Sequence, residues 1–191
     1  MRSTLTVDIF VSVDGWAGSD GLPAYFGYGG PELEEWIATE AAAPHRILMG
    51  RKTYELLAEL PEQARDDGWR QVTATDKVVF STTLQEASWA NTRICSDDPA
   101  DEVRRMKADD SGLALRTTGS LSVARQLIGA GLVDRLRLMT FPLIAGDEGR
   151  EAFFAQMTSA DLELVDHRIL DRRLLLIEYR PTGNDIPRAG A

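Results

Sequence analysis

The sequence has little cysteine, little histidine and no excess of positive charge. Its one cysteine, Cys95, excludes an intrachain disulfide and a zinc site built from several cysteines. The two histidines, His45 and His167, lie far apart in the chain, so we predict no metal site. The 30 acidic residues outnumber the 21 lysines and arginines, and a net charge of −9 predicts no nucleic-acid partner.

Long hydrophobic runs are also lacking. No stretch approaches the roughly 20 apolar residues of a membrane span, and the N-terminus has no apolar core followed by a cleavage site. We therefore expect a cytoplasmic protein without a membrane partner. The chain has 191 residues, of which 43% are hydrophobic, enough for one sizeable core. We predict one domain over residues 1–181 and a flexible tail over 182–191.

Strand and helix patterns alternate through the first two thirds of the chain. Predicted strands cover 5–15, 45–50, 76–84, 92–96 and 112–120, and predicted helices cover 31–43, 51–60, 97–110 and 121–131. Residues 16–30 are interpreted as a long loop, and the polar stretch around Trp69 as a surface excursion.

The last third of the chain has a different rhythm. A strand over 132–144 leads into a glycine-rich loop, and residues 161–181 form two strands with a tight turn near Asp171. The whole pattern predicts an α/β fold, a three-layer α/β/α sandwich whose mostly parallel sheet is closed by a C-terminal antiparallel hairpin.

Three predicted strands end in glycine, hydroxyl or basic residues. These are Gly50, Arg51, Lys52 and Thr53; Ser81, Thr82 and Thr83; and Gly119, Ser120, Leu121 and Ser122. In open α/β sheets ligands bind beyond the carboxyl ends of the strands, where helix N-termini offer N–H groups to phosphate. Each group taken singly can be a cap or a turn. Together they indicate a diphosphate ligand that carries a further phosphate.

The chain resembles the dihydrofolate reductase-like family, and within it the stand-alone relatives of the reductase domain of the bifunctional riboflavin-pathway deaminase-reductase. The matching segments cover about residues 4–180. They are "FVSVDGWAG", "ILMGRKTYE", "KVVFSTTL", "LRTTGSLSVARQL" and "GLVDRLRLMTFPLIAGDEG".

The resemblance implies NADPH as the cofactor. Arg51 would meet the adenosine 2′-phosphate, with Ser81 and Thr82 helping, because the planar guanidinium matches phosphate oxygens. The N–H groups around Lys52 and Thr53, and those of residues 119–122, would hold the pyrophosphate. Relatives with this appearance commonly pair through the strands at the chain's end, so we also expect a homodimer.

Two carboxylates are candidate catalytic residues. Glu34 falls near the position where dihydrofolate reductases carry the carboxylate that supports substrate protonation. Its alternative role is to favour the helix N-terminus together with Glu32 and Glu35. Asp14 is either a turn residue or a ligand of substrate or water.

The resulting hypothesis is an NADPH-dependent reductase that transfers a hydride to a small heterocyclic or sugar-derived substrate. The sequence does not identify that substrate. Two alternatives stay open: the riboflavin-pathway 5-amino-6-(5-phosphoribosylamino)uracil reductase itself, and an NADP-binding regulatory module without turnover.

Overall fold

The computed structural model describes residues 3–22, 24–109 and 112–187. Ten strands and five α-helices lie in these ranges. The strands are β1 (Leu5–Ser12), β2 (Trp16–Ser19), β3 (His45–Gly50), β4 (Lys77–Phe80), β5 (Thr92–Cys95), β6 (Ala114–Thr117), β7 (Arg135–Phe141), β8 (Gly149–Ala152), β9 (Leu162–Leu170) and β10 (Leu174–Pro181). The helices are α1 (Pro31–Ala42), α2 (Arg51–Ala58), α3 (Asp67–Ala74), α4 (Pro99–Ala108) and α5 (Leu121–Gly129).

Eight strands form one sheet in the order β5-β4-β3-β6-β1-β7-β10-β9. The first six of these are parallel, and β10 runs antiparallel to both β7 and β9. Alternate residues of β1 show why the sheet needs cover on both sides. Leu5, Val7 and Ile9 are buried on one face, whereas Asp8 and Phe10 lie on the other.

Helices cover both faces, which confirms the predicted three-layer sandwich. Helices α4 and α5 place Val103 and Leu127 in the core on one face. On the other face, α1 packs Leu33 beside Phe141 of β7, and α2 packs Tyr54 near β3 and β4. The C-terminal hairpin is also confirmed, with Asp171 in its turn.

The predicted loop over residues 16–30 was partly wrong, because it contains β2. This strand pairs antiparallel with β8, inside the segment predicted as a glycine-rich loop. The pairing requires a close approach at Gly149, where an added Cβ would lie 2.3 Å from the Trp16 ring. Two four-residue strands that pair across more than 100 residues leave little local signal.

The polar stretch around Trp69, predicted as a surface excursion, lies at the surface but is helical, which was not predicted. Residues 67–74 form α3, and the Asp66 carboxylate caps it by accepting a hydrogen bond from the Trp69 N–H at 2.8 Å. The Trp69 indole stacks on Trp89 with ring centroids 5.9 Å apart and donates to the Leu57 carbonyl. The segment is polar because α3 is short and only one of its sides is partly buried.

Lys77, at the start of β4, is a buried lysine that closes the other end of α3. Its ammonium group donates to the carbonyls of Val72, Thr73 and Thr75 at 2.8–3.1 Å and lies 4.7 Å from the centre of the Trp89 ring. These carbonyls have no helical partners of their own, so Lys77 satisfies them. Burial lowers the pKa of Lys77 to about 8.

The edge strand β9 is exposed over eight of its nine residues. Ile169 is 66% exposed, and Leu164, Val165 and the neighbouring Leu175 of β10 are also exposed. Of the predicted tail, residues 182–187 have no regular secondary structure, although Thr182 donates to the Asp161 carboxylate at 2.7 Å. Residues 188–191 lie outside the described ranges. No helix in those ranges is long and apolar enough to cross a membrane.

Candidate active site

The three predicted strand ends meet at one edge of the sheet. Strands β4, β3 and β6 are adjacent, so their carboxyl ends open into a single cleft of about 1170 Å³. All eleven predicted cofactor-binding residues line it: Gly50, Arg51, Lys52, Thr53, Ser81, Thr82, Thr83, Gly119, Ser120, Leu121 and Ser122. We call this part the strand-end side of the cleft.

Ser120 joins two of the strand ends directly. Its hydroxyl accepts a hydrogen bond from the Gly50 N–H at 2.6 Å and donates to the Thr53 hydroxyl at 2.8 Å. Gly119 and Ser120 both have positive φ, at 56° and 58°. A Cβ on Gly119 would lie 3.0 Å from the Thr53 side chain, so glycine suits both the backbone and the space. The two loops therefore form one connected surface.

The helices that start at this surface have uncapped N-termini. Neither α2 nor α5 has a side-chain hydrogen bond from its N-cap residue or an acidic residue in its first turn. The first-turn N–H groups of such a helix offer hydrogen bonds and a partial positive charge to an anion. The site is therefore suited to the oxygens of a phosphate group.

The third strand end is a hydroxyl-rich turn. The Ser81 hydroxyl accepts hydrogen bonds from the N–H groups of Thr83 and Leu84 at 3.2 and 2.9 Å. This contact gives Ser81 a role in shaping the turn, beside any role in binding. Thr82 and Thr83 are exposed at the cleft.

Two cations stand at the start of α2. Arg51 forms an exposed ion pair with Glu55, one turn along the helix, at 2.9 Å. Exposed pairs of this kind contribute little, so the Arg51 guanidinium can turn to a ligand. Lys52 is exposed beside it, and no ion pair of Lys52 occurs in the described ranges.

The other side of the cleft, which we call the α1 side, has aromatic walls. Phe10 of β1, Tyr25 of the turn before α1 and Trp36 of α1 all line it. The Phe10 ring centroid lies 5.1 Å from that of Tyr25 and 6.3 Å from that of Trp36. Such a surface favours flat, apolar groups.

Four charged side chains form a network at the inner end of the α1 side. Arg137 donates to Asp8 at 2.6 and 2.9 Å and lies 2.7 Å from a carboxylate oxygen of Glu40. Arg116 donates to the Glu40 carboxylate and, at 2.7 Å, to the Glu40 carbonyl. Burial would raise the pKa of Glu40, but the hydrogen bonds and charges of Arg137 and Arg116 outweigh it and lower this pKa.

The sequence analysis missed this network, although two signals were present. Charged residues interrupt apolar strands in "LTVDIFVS" and "RLRLMTF", where a buried partner is required. Glu40 follows Leu33, Trp36 and Ile37 at the i, i+3, i+4, i+7 spacing of one helix face. It therefore shares the face of α1 that turns to the cleft.

The two predicted catalytic residues do not line the cleft. Glu34 is exposed on α1, away from the face of Leu33, Trp36 and Glu40. Asp14 accepts hydrogen bonds from the Ser12 hydroxyl and from the N–H groups of Ala145 and Gly146, which lower its pKa to about 2. This ties two loops together. The geometry favours the structural alternative for both residues, and their catalytic roles stay predictions.

Three potential metal ligands lie close together near the end of β5. Cys95, Asp97 and Glu102 have ligand atoms within 4.8 Å of one another. Arg105 pairs with both carboxylates, and Arg93 also pairs with Glu102. These arginines already neutralise the carboxylates, so the cluster is explained as an ion-pair group.

The fold and the cleft define an α/β reductase-like domain of the dihydrofolate reductase type. The chain belongs to the family of the RibD C-terminal domain, whose sequence profile matches residues 3–176. This confirms the family resemblance and assigns a RibD-type reductase domain. The chain is also 30% identical over 143 residues to the uncharacterized protein YyaP of Bacillus subtilis (strain 168), covering 72% of this chain and 74% of that protein.

Solved structures agree on the fold. A putative riboflavin biosynthesis protein from Shewanella sp. PV-4 has a TM-score of 0.69 at 15% identity, over 95% of this chain and 99% of that one. A deaminase/5-amino-6-(5-phosphoribosylamino)uracil reductase from Thermotoga maritima has a TM-score of 0.64 at 14% identity. That match covers 94% of this chain and 57% of the longer Thermotoga chain.

Proposed function

We propose that this protein binds NADPH along the strand-end side of the cleft and transfers a hydride to a small heterocyclic or sugar-derived substrate on the α1 side. The proposal rests on one observation above the others. Two uncapped helix N-termini and Arg51 surround a cleft that continues into an aromatic chamber. This combination suits a phosphorylated dinucleotide next to a flat substrate.

The residues at the strand ends fit the cofactor. The N–H groups at the start of α2 and α5 would donate hydrogen bonds to the pyrophosphate, and Arg51 would bind the 2′-phosphate. NADPH supplies the hydride when it is bound, so the chain's own task is to hold substrate and cofactor in reacting geometry and to limit water.

No carboxylate among the described residues of the α1 side is an evident proton donor. Among the described carboxylates there, Glu40 and Asp8 are both paired with arginine. The lowered pKa of Glu40 keeps it ionised near neutral pH. We therefore propose that the proton comes from water or from the substrate itself.

The riboflavin-pathway reaction is the second candidate. It is favoured by membership of the RibD C-terminal domain family and by the activity for which the Thermotoga protein is named. An NADP-binding module without turnover is the third. Cytoplasmic location stays a prediction.

A calorimetric titration followed by an absorbance assay at 340 nm tests the proposal. We expect NADPH to bind and then to be oxidised steadily in the presence of a reducible substrate. NADPH binding without oxidation across a broad substrate panel would favour the regulatory module. Failure to bind NADPH would reject both the proposed reductase and the regulatory module.

We also propose that the protein is a homodimer through the outer surface of the β9–β10 hairpin. Ile169, Val165 and Leu175 are exposed there, and a second copy would cover them. Ile169→Glu should convert a dimer into a monomer of 21.1 kDa in light scattering, whereas Ile144→Glu should not. Ile144 is the matched control because it is 77% exposed and lies outside the hairpin. A monomeric unaltered protein at micromolar concentration would reject the dimer.

A further inference from the structure

The charges on the α1 side of the cleft bear on the kind of substrate it accepts. This chamber has aromatic walls and ends at Asp8, Glu40 and Arg116, three members of the charged network described above. The fourth member, Arg137, pairs with both carboxylates and lines a separate, smaller cavity. Each arginine of the network is paired with both carboxylates: Arg137 with Asp8 and Glu40, and Arg116 with the same two residues. The formal charge of the network is therefore zero.

The network is also largely removed from water. The side chains of Arg137 and Asp8 are 9% and 13% exposed. A buried charge is costly to separate from its partner, so an incoming anion would have to displace Asp8 or Glu40 from an arginine. An anion that displaced neither would face both carboxylates.

The other basic groups near the chamber are occupied or uncharged. Arg125 donates to the backbone carbonyls of Ala152 and Phe153. Burial is the main cause of a lowered pKa of His45, so this imidazole is neutral at pH 7. Among the described residues that line the cleft, the cations available to a ligand are therefore Arg51 and Lys52, which lie on the strand-end side.

We propose that the substrate is an uncharged, planar conjugated molecule without a phosphate group, such as a neutral heterocycle or a quinone-like carbonyl compound. This inference rests on the proposed reductase function. One hydride from NADPH and one proton from water reduce one C=O or C=N bond of this substrate, or its conjugated equivalent, and leave NADP⁺. The aromatic walls can stack on the flat ring. The network offers no unpaired cation to bind a phosphate, because both of its arginines are paired with carboxylates.

Matched ligands test the inference. Binding to the NADP⁺-loaded protein is measured by calorimetry for menadione, for 5-amino-6-(ribosylamino)uracil and for its 5′-phosphate. We expect menadione or the neutral uracil to bind, and the neutral uracil to bind at least about tenfold more tightly than its phosphate. Equal or tighter binding of the phosphate would overturn the inference. So would NADPH binding with no affinity for either neutral compound.

A charge variant provides a second readout. Glu40→Gln keeps the side-chain shape and leaves one positive charge on the network without its partner. We expect this variant to gain about tenfold in affinity for the 5′-phosphate relative to the neutral uracil. An unchanged ratio in the folded variant would contradict the inference. Loss of NADPH binding by the unaltered protein would instead reject the proposed function, so the two failures are distinguishable.

Discussion

The helix N-termini of this protein fall into two groups. Helices α1, α3 and α4 begin at carboxylates: Asp171 accepts hydrogen bonds from two N–H groups of α1, Asp66 caps α3 and Asp98 caps α4. Helices α2 and α5, which begin at the cleft, have no side-chain cap among the described residues. The same chain thus places carboxylates where a helix N-terminus needs neutralising and leaves them out where an anion is expected.

The largest expected effect comes from giving α2 the kind of cap that α4 has. Gly50 has extended backbone angles suited to an N-cap. The atoms nearest to an added Cβ would lie 3.5 Å away, at ordinary van der Waals distance. Gly50→Asp should weaken NADPH binding about a thousandfold, because its carboxylate occupies the phosphate position. Calorimetry measures the affinity.

Gly50→Asn is the matched control for that substitution, since it can cap the helix without a negative charge. It should weaken binding far less than Gly50→Asp, and both variants should melt no lower than the unaltered protein. Equal affinities of the two variants would show that charge at the N-terminus of α2 is unimportant.

The C-terminal end of α3 provides a contrasting case, because its free carbonyls accept hydrogen bonds from Lys77 rather than from a ligand. The pKa of Lys77 is lowered to about 8 in the fold from 10.5, so the unfolded chain binds more protons between these values. Stability from this group should therefore rise by about 3 kcal/mol as the pH increases from 8 to 10.5. Urea denaturation should show this rise in the difference between the unaltered protein and Lys77→Met. A difference independent of pH would contradict the account of Lys77.

Arg51 should determine the choice between the two nicotinamide cofactors. One charge-assisted contact to the 2′-phosphate contributes about 1.5–3 kcal/mol, so Arg51→Ala should remove a roughly ten- to hundredfold preference for NADPH over NADH. Glu55→Gln releases Arg51 from its ion pair and should keep or increase that preference. If the unaltered protein binds both cofactors equally, Arg51 does not meet the 2′-phosphate.

The smallest expected effect is at α4, whose N-terminus is capped by Asp98 although Pro99 borders the cleft. Asp98 accepts hydrogen bonds from the N–H groups of Ala100 and Asp101 at the start of α4. Asp98→Ala should lower the free energy of unfolding by about 1 kcal/mol and leave NADPH affinity unchanged. A loss of NADPH affinity in this variant would remove the contrast between the two groups of helices.

The sequence predicted what depends on short-range patterns. The strand ends at Gly50 and Gly119 were found because the change from an apolar run to small or polar residues is local. The cap of α1 was not found, since Asp171 reaches Glu32 across 139 residues. The same limit applies to Asp8 and Arg137, which are 129 residues apart.

The helical phase of α1 is a further signal that the choice of Glu34 did not use. Glu34 was chosen by its match to a position in dihydrofolate reductases, although the apolar residues Leu33, Trp36 and Ile37 already marked the inward face of α1. Glu40 continues that face, and Glu34 does not. Spacing along the helix therefore carries information about the cleft that the family resemblance does not.

The central claim is that the N–H groups at the start of α2 and α5 hold the phosphates of NADPH. Nuclear magnetic resonance of ¹⁵N-labelled protein titrated with NADPH tests it most directly. The account predicts that the amide protons of residues 51–53 and 120–122 move downfield at saturation, while those of Ala100 and Asp101 at the capped start of α4 do not. Saturating NADPH with unchanged amides at 51–53 and 120–122 would contradict it.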